Sequence, residues 1–502
     1  MNTTLIDWII LVFVFAGLCF AGLMCRKKVK GVSDFMVAGR NVRKYLALGT
    51  GLVEGIGLVT IANFIQQGFL HGLSNIWLQT IDMLIVAIIF GHFGVVIVRF
   101  RLGGFITLPQ YFEARYSRKT RLLVGFVTAV AGILNFAIFP IVGSQFLTHF
   151  LGLPATFPLL GMNMPTIPAL MGIMLVLALL FTNLGGMISV VVTDYIQSIL
   201  VACGIFIMLF FTFYTLGLTG LTEGLRENLG QAAFNPFYEG SYGIAFFVWV
   251  GLNVFFCYVA FSPTMQKVAS TDSSETARKM TMISSFFNKS RLVMMMLIGI
   301  GALIYLGGQA PDDMNMNGEQ WSRTAGPLFL GEILPPVFMG IVMSALCAAF
   351  VSTMDSYILS WASVIVNDVI CAVKKKPMTP EGHLWCLRWV IAAIALFLFC
   401  FGVLYKPTES ILEYIYLTGT MFTGIGIALV FGLYFKFGTT AGAMAAVLSS
   451  AVLPVVDLIC KRVFEGSYTL GSQYSGLMII LFSMMIYIAV SLADKTKKVT
   501  VD

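Results

Sequence analysis

The chain has 502 residues, of which 58% are hydrophobic and only 11% charged, against roughly 25% charged residues in soluble domains. With 43 Phe and 27 Met and a mean hydropathy of +0.90, this excludes a water-soluble enzyme and indicates a membrane protein. The net charge of +7 implies no nucleic-acid partner, because the placement of basic residues between spans accounts for it.

Cutting the chain at charged or Pro/Gly-rich joints gives about thirteen apolar segments of spanning length. They run approximately 5–24, 45–70, 75–99, 122–150, 166–184, 190–217, 242–264, 291–308, 335–369, 385–405, 409–435, 440–460 and 474–492. The first reads as a retained helix rather than a cleaved leader, since Asp7 precedes the apolar run and Arg26, Lys27 and Lys28 follow it. When the loops alternate sides, one set carries most of the Lys and Arg, chiefly in 25–44, 99–121 and 267–291. The other set keeps Arg226, Arg323, Lys406, Lys461 and Arg462. Basic loops stay cytoplasmic, so the expected topology is a multi-pass protein of the plasma (inner) membrane, N-terminus outside and C-terminus inside. The outside loops 218–241 and 309–334 carry Glu223, Glu227, Glu239, Asp312, Asp313 and Glu319 and read as connectors or short cap helices.

Nine cysteines stand singly with no CxxC, and four histidines form no HExxH, so buried thiols are expected and no catalytic cluster or organic cofactor presents itself. Function is sought instead where polar groups occur at membrane depth, because each is costly unless it faces protein, ion or water. Between Leu46 and Gly57, four glycines (Gly49, Gly51, Gly55 and Gly57) share one span with Glu54. Either they pack closely against a neighbour or they break the helix and free carbonyl oxygens that suit a hard cation such as Na⁺. Along 344–363, Ser344, Ser352, Thr353, Ser356, Ser360 and Ser363 put hydroxyls at helical spacing, with Asp355 beside them. Such hydroxyls either bond back to their own helix or line a cation site. Asp194 and Asp82 are two further acidic residues within apolar runs.

These residues resemble the sodium:solute symporter family, whose members carry proline, sugars, pantothenate and other small solutes. GRNVRKYLALGTGLVEGIG, FITLPQYFEARY, GGMIS ahead of TDYIQ, and CAAFVSTMDSYILSWASVIVNDV are similar to four family stretches in the family's order. The resemblance implies an all-α integral membrane protein with a LeuT-type inverted five-plus-five repeat. The expected division is an extra helix at 5–24, a first repeat at 45–217, a second at 242–435 and two extra helices within 440–492.

Carried over, the family's sodium site falls on the hydroxyls of Ser352 and Thr353 with the carbonyls of Ala349, Leu52 and Gly55. Asp194 falls on the inner ion exit path. Glu54 stands where proline carriers have an aspartate, while Ile56 and Leu58 replace a serine and a tryptophan, which argues against proline. Asp82 aligns with a sugar-contacting glutamate, but the gate tyrosine and binding asparagine of sugar carriers fall near Cys257 and on Val254. Glu54 and Asp82 together suggest a solute with a positive nitrogen, such as an amine, amino acid or zwitterion. Ile56, Val59, Phe255, Phe256, Tyr258, Tyr416, Thr418 and Trp77 are further candidates for lining its path. The expected function is sodium-coupled import of a small organic solute by a monomer whose other partner is the lipid bilayer. A proton-coupled carrier using Glu54, or a transporter-like solute sensor, is the alternative.

Overall fold

In a bilayer every backbone N–H and C=O must be met within the protein, and the apolar sequence resolves into helices almost throughout. The computed structural model describes residues 3–26, 31–159, 162–238, 242–314, 316–374, 378–405, 411–464 and 470–494. Lys27, Lys28, Glu239, Lys406 and the C-terminal lysines lie outside them. Chain order begins α1 (Leu5–Arg26), α2 (Val32–Val37), α3 (Lys44–Glu54), α4 (Leu58–His71) and α5 (Ile76–Met83), which continues as a π-helix over Leu84–His92. Then come α6 (Ile97–Leu102), α7 (Leu108–Arg115), α8 (Arg118–Phe136), α9 (Phe139–Phe150) and an antiparallel hairpin of β1 (Thr156–Leu159) and β2 (Met162–Pro165). α10 (Thr166–Leu229), α11 (Gly243–Ala260), α12 (Ser262–Ser270), α13 (Ser274–Leu306), α14 (Gly318–Ile333) and α15 (Phe338–Val364) follow. The chain continues through α16 (Cys371–Val373), α17 (Pro380–Leu404), α18 (Ile411–Thr420), α19 (Thr423–Tyr434), α20 (Thr440–Val463) and α21 (Ser472–Ala493).

Among the described residues, 10 helices are long and apolar enough to cross a membrane, and two bent pairs bring the total to 12. The pairs are Lys44–Glu54 with Leu58–His71, bent by 50°, and Tyr414–Thr420 with Thr423–Tyr434, bent by 45°. The expected thirteenth, at 75–99, is the shorter apolar helix Ile76–His92, ended by Gly94 at φ +68°. The all-α reading omitted the hairpin, whose four-residue strands lie in a Pro-containing connection too short to show a strand period. The stretch 267–291, read as a basic inner loop, is helical in α12 and α13. Lys267 and Arg291 are buried there, at 1% and 7% exposure, and therefore carry no weight in a count of loop charges.

Two packing features hold the site in place. α10 is one helix by hydrogen bonding but bends at Gly185 and Gly186, the latter at φ +52° and with the Phe35 carbonyl where a Cβ would sit. That bend separates the segments 166–184 and 190–217 and lets the second run along α15. At the other end of α15, the buried Asp7 accepts from Val337 N at 2.8 Å and Gly340 N at 2.9 Å. A carboxylate thus meets the unpaired amides and positive dipole end of that helix and fixes α1 to it. Asp7→Ala is expected to destabilise the protein by about 1.5–3 kcal/mol, the range for hydrogen bonds to a charged group, read as a lowered melting temperature in detergent.

Candidate cation and solute site

α3 stops at Glu54 and α4 starts at Leu58, leaving Gly55, Ile56 and Gly57 outside regular helix. The four glycines divide between the two roles open to them. Gly49 and Gly51 remain helical, where a Cβ would press on Tyr195 and Ser284 respectively. Gly55 and Gly57 form the break, and the place of a Gly57 Cβ is filled by Thr353 Oγ1, so α15 touches the broken backbone. A second break separates α11 from α12: Phe261 is extended at ψ 108° and Pro263 opens α12. The sequence predicts one continuous span over 242–264; Pro263, which lacks an amide donor and disfavours helix before it, is the local signal for the break.

The last turn of a helix leaves carbonyls without intrahelical partners. For α3, side chains from α12 and α13 take them in succession: Lys267 Nζ donates to Thr50 O at 3.3 Å, Asn288 Nδ2 to Gly51 O at 3.2 Å, and Arg291 Nη2 to Leu52 O at 2.7 Å. Two of the three donors are cations at a helix C-terminus, where the dipole favours them.

Asp194, fully buried on α10, is the hub. Its Oδ2 accepts from Thr50 Oγ1 at 2.5 Å and Lys267 Nζ at 3.1 Å, and its Oδ1 from Ser352 Oγ at 2.6 Å. One carboxylate therefore joins α3, α10, α12 and α15. Glu54 accepts from Thr264 Oγ1 at 2.9 Å and lies 3.9 Å from Lys267. Asp355 is 0% exposed and neither of its oxygens has a hydrogen-bond partner among the described residues; Lys267 and Asp194 are its charged neighbours.

The structure brings Glu54, Asp194, Ser352 and Thr353 together around the break. Lys267, which sequence reasoning placed in a loop, joins them. Thr353 Oγ1 donates to Ala349 O at 3.0 Å, so the hydroxyl stripe bonds partly to its own helix. The implied ligand Leu52 O is held by Arg291. Hydroxyl, carbonyl and carboxylate oxygens dominate, the donor type of a hard monovalent cation. Among the described residues no three His, Cys, Asp or Glu side chains form a group that could hold a metal ion.

Asp82 is not an isolated anion, since Lys289 Nζ lies 2.6 Å from it and 3.2 Å from Gln79 Oε1. Tyr258 stacks on Phe90, and Phe255 meets the same ring in a tilted contact. Ile56, Val59 and Phe256 are buried core residues, and Tyr416 packs on Trp249. Thr418 Oγ1 accepts from Asn135 at 2.7 Å, whereas Trp77 is 55% exposed and bonds Phe234 O. On the α9–α14 side, a cavity of about 350 Å³ is lined by Ala62, Gln145, His149, Gln320, Arg323 and Ile411 among others. It lies beside the Gln66–Glu319 contact of 2.8 Å between α4 and α14.

Residues 35–449 match the sequence model of the sodium:solute symporter family. The chain belongs to that family. It is a multi-pass membrane transporter of small solutes, not an enzyme. Similar relatives include the sodium/glucose cotransporter of Vibrio parahaemolyticus, 25% identical over 84% of this chain and 78% of the relative. The high-affinity proline transporter PutP of Bacillus subtilis is 24% identical over 87% and 88%. A solved structure of a Na⁺-coupled sialic acid symporter superposes with a TM-score of 0.76 at 18% identity, covering 99% of this chain and 100% of that one. This places the symporter in the LeuT-type fold.

Proposed function

We propose that this symporter imports a small zwitterionic solute, such as an amino acid, driven by inward sodium movement, with its N-terminus outside and C-terminus in the cytoplasm. The observation that carries the reading is the Asp194 hub at the broken helix. Two carboxylates (Glu54 and Asp194) flank one ammonium, so a further monovalent cation is electrostatically favoured beside Ser352 and Thr353. An ion held there joins both broken-helix halves to α10 and α15, and its gain or loss biases which arrangement of the two bundles is populated. Sodium and solute must then raise each other's affinity by the same factor. Ser352→Ala removes a buried hydroxyl from the cage and is expected to raise the sodium concentration for half-maximal uptake about tenfold, equivalent to about 1.4 kcal/mol. Protein abundance should fall much less; an equal fall in both would assign Ser352 to folding alone.

The zwitterion follows from the ion pairs rather than from unpaired carboxylates. Lys289–Asp82 and Lys267–Glu54 each present both signs, and the side chains of Asp82, Lys289 and Glu54 keep 20%, 18% and 12% exposure. A solute bearing an ammonium and a carboxylate can exchange partners with such a pair without leaving a charge unmet. Lys289→Gln and Asp82→Asn are therefore both expected to reduce uptake of the transported amino acid at least about tenfold. The discriminating measurement is uptake from a mixed panel of amino acids, amines and sugars into proteoliposomes. Unchanged uptake in both variants would place the solute away from this pair.

A further inference from the structure

Lys267 is 1% exposed and sits at the centre of the cation cluster. A buried ammonium persists only where anions and carbonyls hold it, and here the holders are the Asp194 carboxylate at 3.1 Å and the Thr50 carbonyl at 3.3 Å. The same Asp194 carboxylate receives the hydroxyls of Thr50 and Ser352. Those are oxygens that a sodium ion would require. We propose that the Lys267 ammonium is a built-in counter-cation: it occupies the oxygen cage at Asp194 when sodium is absent, and sodium displaces it onto Glu54. The proposal rests on the sodium-coupled reading above and names the group with which the ion competes.

Three observations carry it. The receiving carboxylate is already within reach, since Glu54 Oε2 is 3.9 Å from Lys267 Nζ while its Oε1 accepts from Thr264. The displaced ammonium therefore has a partner, and its charge is never left unmet. The cluster holds one ammonium for two carboxylates, Asp194 at 3.1 Å and Glu54 at 3.9 Å, so an anion remains in the cage for a second cation when one arrives. Finally, Lys267 lies on α12, Asp194 on α10, and Thr50 and Glu54 on α3, so the exchange gives up the α12–α10 tie and leaves Lys267 held by α3 alone. Both α12 and α3 adjoin backbone breaks, where a change of partner can be converted into movement.

The test is thermal stability of the purified full-length protein over a range of NaCl, with choline chloride holding ionic strength constant. Lys267→Met keeps the side-chain bulk and removes the competitor, and is expected to lower the sodium concentration at half-maximal stabilisation about tenfold or more. Lys267→Arg keeps the charge and is expected to leave that concentration at or above the wild-type value. An unshifted half-point in Lys267→Met overturns the proposal and makes Lys267 a fixed ion-pair partner. A wild type indifferent to sodium beside a Lys267→Met variant that responds to it keeps Lys267 in the cation position while overturning sodium coupling. No response in either protein overturns both. Should Lys267→Met alone fail to fold, the charge-matched Lys267→Met/Glu54→Gln protein is measured in the same way, and an unshifted half-point there also overturns the proposal.

Discussion

Asp194→Ala is expected to abolish uptake and to destabilise the folded symporter by about 3–5 kcal/mol, the range for removing one partner of a buried ion pair. The carboxylate is fully buried and receives Thr50, Ser352 and Lys267. Its loss leaves Lys267 with Glu54 at 3.9 Å as its remaining salt-bridge partner and frees the buried hydroxyls of Thr50 and Ser352 on two helices. Asp194→Asn keeps the shape and some of the hydrogen bonds but not the charge, so it is expected to recover much of the stability and little of the uptake. Melting temperature and uptake measured on both variants separate the two contributions. Recovery of uptake in Asp194→Asn would remove the charge from the mechanism.

Gly299→Val is the second large expected effect, and it acts through packing alone. α13 crosses α4 where a Cβ at Gly299 would overlap Ile65 O, and where Gly68 faces the Met296 carbonyl in the same way. Contacts between small residues let the two backbones approach closely, and the obstacle is main chain, which has no alternative rotamer. Overpacking of well-packed interiors costs about 1–3 kcal/mol and occasionally more. Here two helices must separate, so the upper end or beyond is expected, seen as loss of monodisperse protein on size-exclusion chromatography. α13 also carries Asn288, Lys289 and Arg291 to the break and to Asp82, so any Gly299→Val protein that survives is expected to show impaired uptake.

The sequence disclosed those features that depend on local composition. Gly55, Gly57 and Glu54 marked the break because glycine and a carboxylate are both conspicuous within an apolar span, and Ser352, Thr353 and Asp194 stood out for the same reason. The role of Gly49 and Gly51 as packing glycines was not decidable, since a glycine that breaks a helix and one that admits a neighbour are written identically. Lys267 was misread because a lysine between two apolar segments ordinarily belongs to a loop. Its burial depends on Asp194, 73 positions away, a pairing that no local pattern contains. The same applies to Asp82, whose isolation in the sequence is removed by Lys289 on the neighbouring helix α13. The break at Phe261 was legible through Pro263 and passed over because the flanking residues are strongly apolar.

The central claim is that sodium at the Asp194 cluster and a zwitterionic solute bind cooperatively. The most direct measurement is a thermal-shift screen of the purified protein against amino acids, amines, carboxylates and sugars, each in sodium and in potassium. A ligand that binds only the folded state at about a hundred times its Kd stabilises by about 2.7 kcal/mol, well within detection. The predicted result is an amino acid or related zwitterion that stabilises in sodium and is silent in potassium. A solute that stabilises equally in both salts would contradict the account.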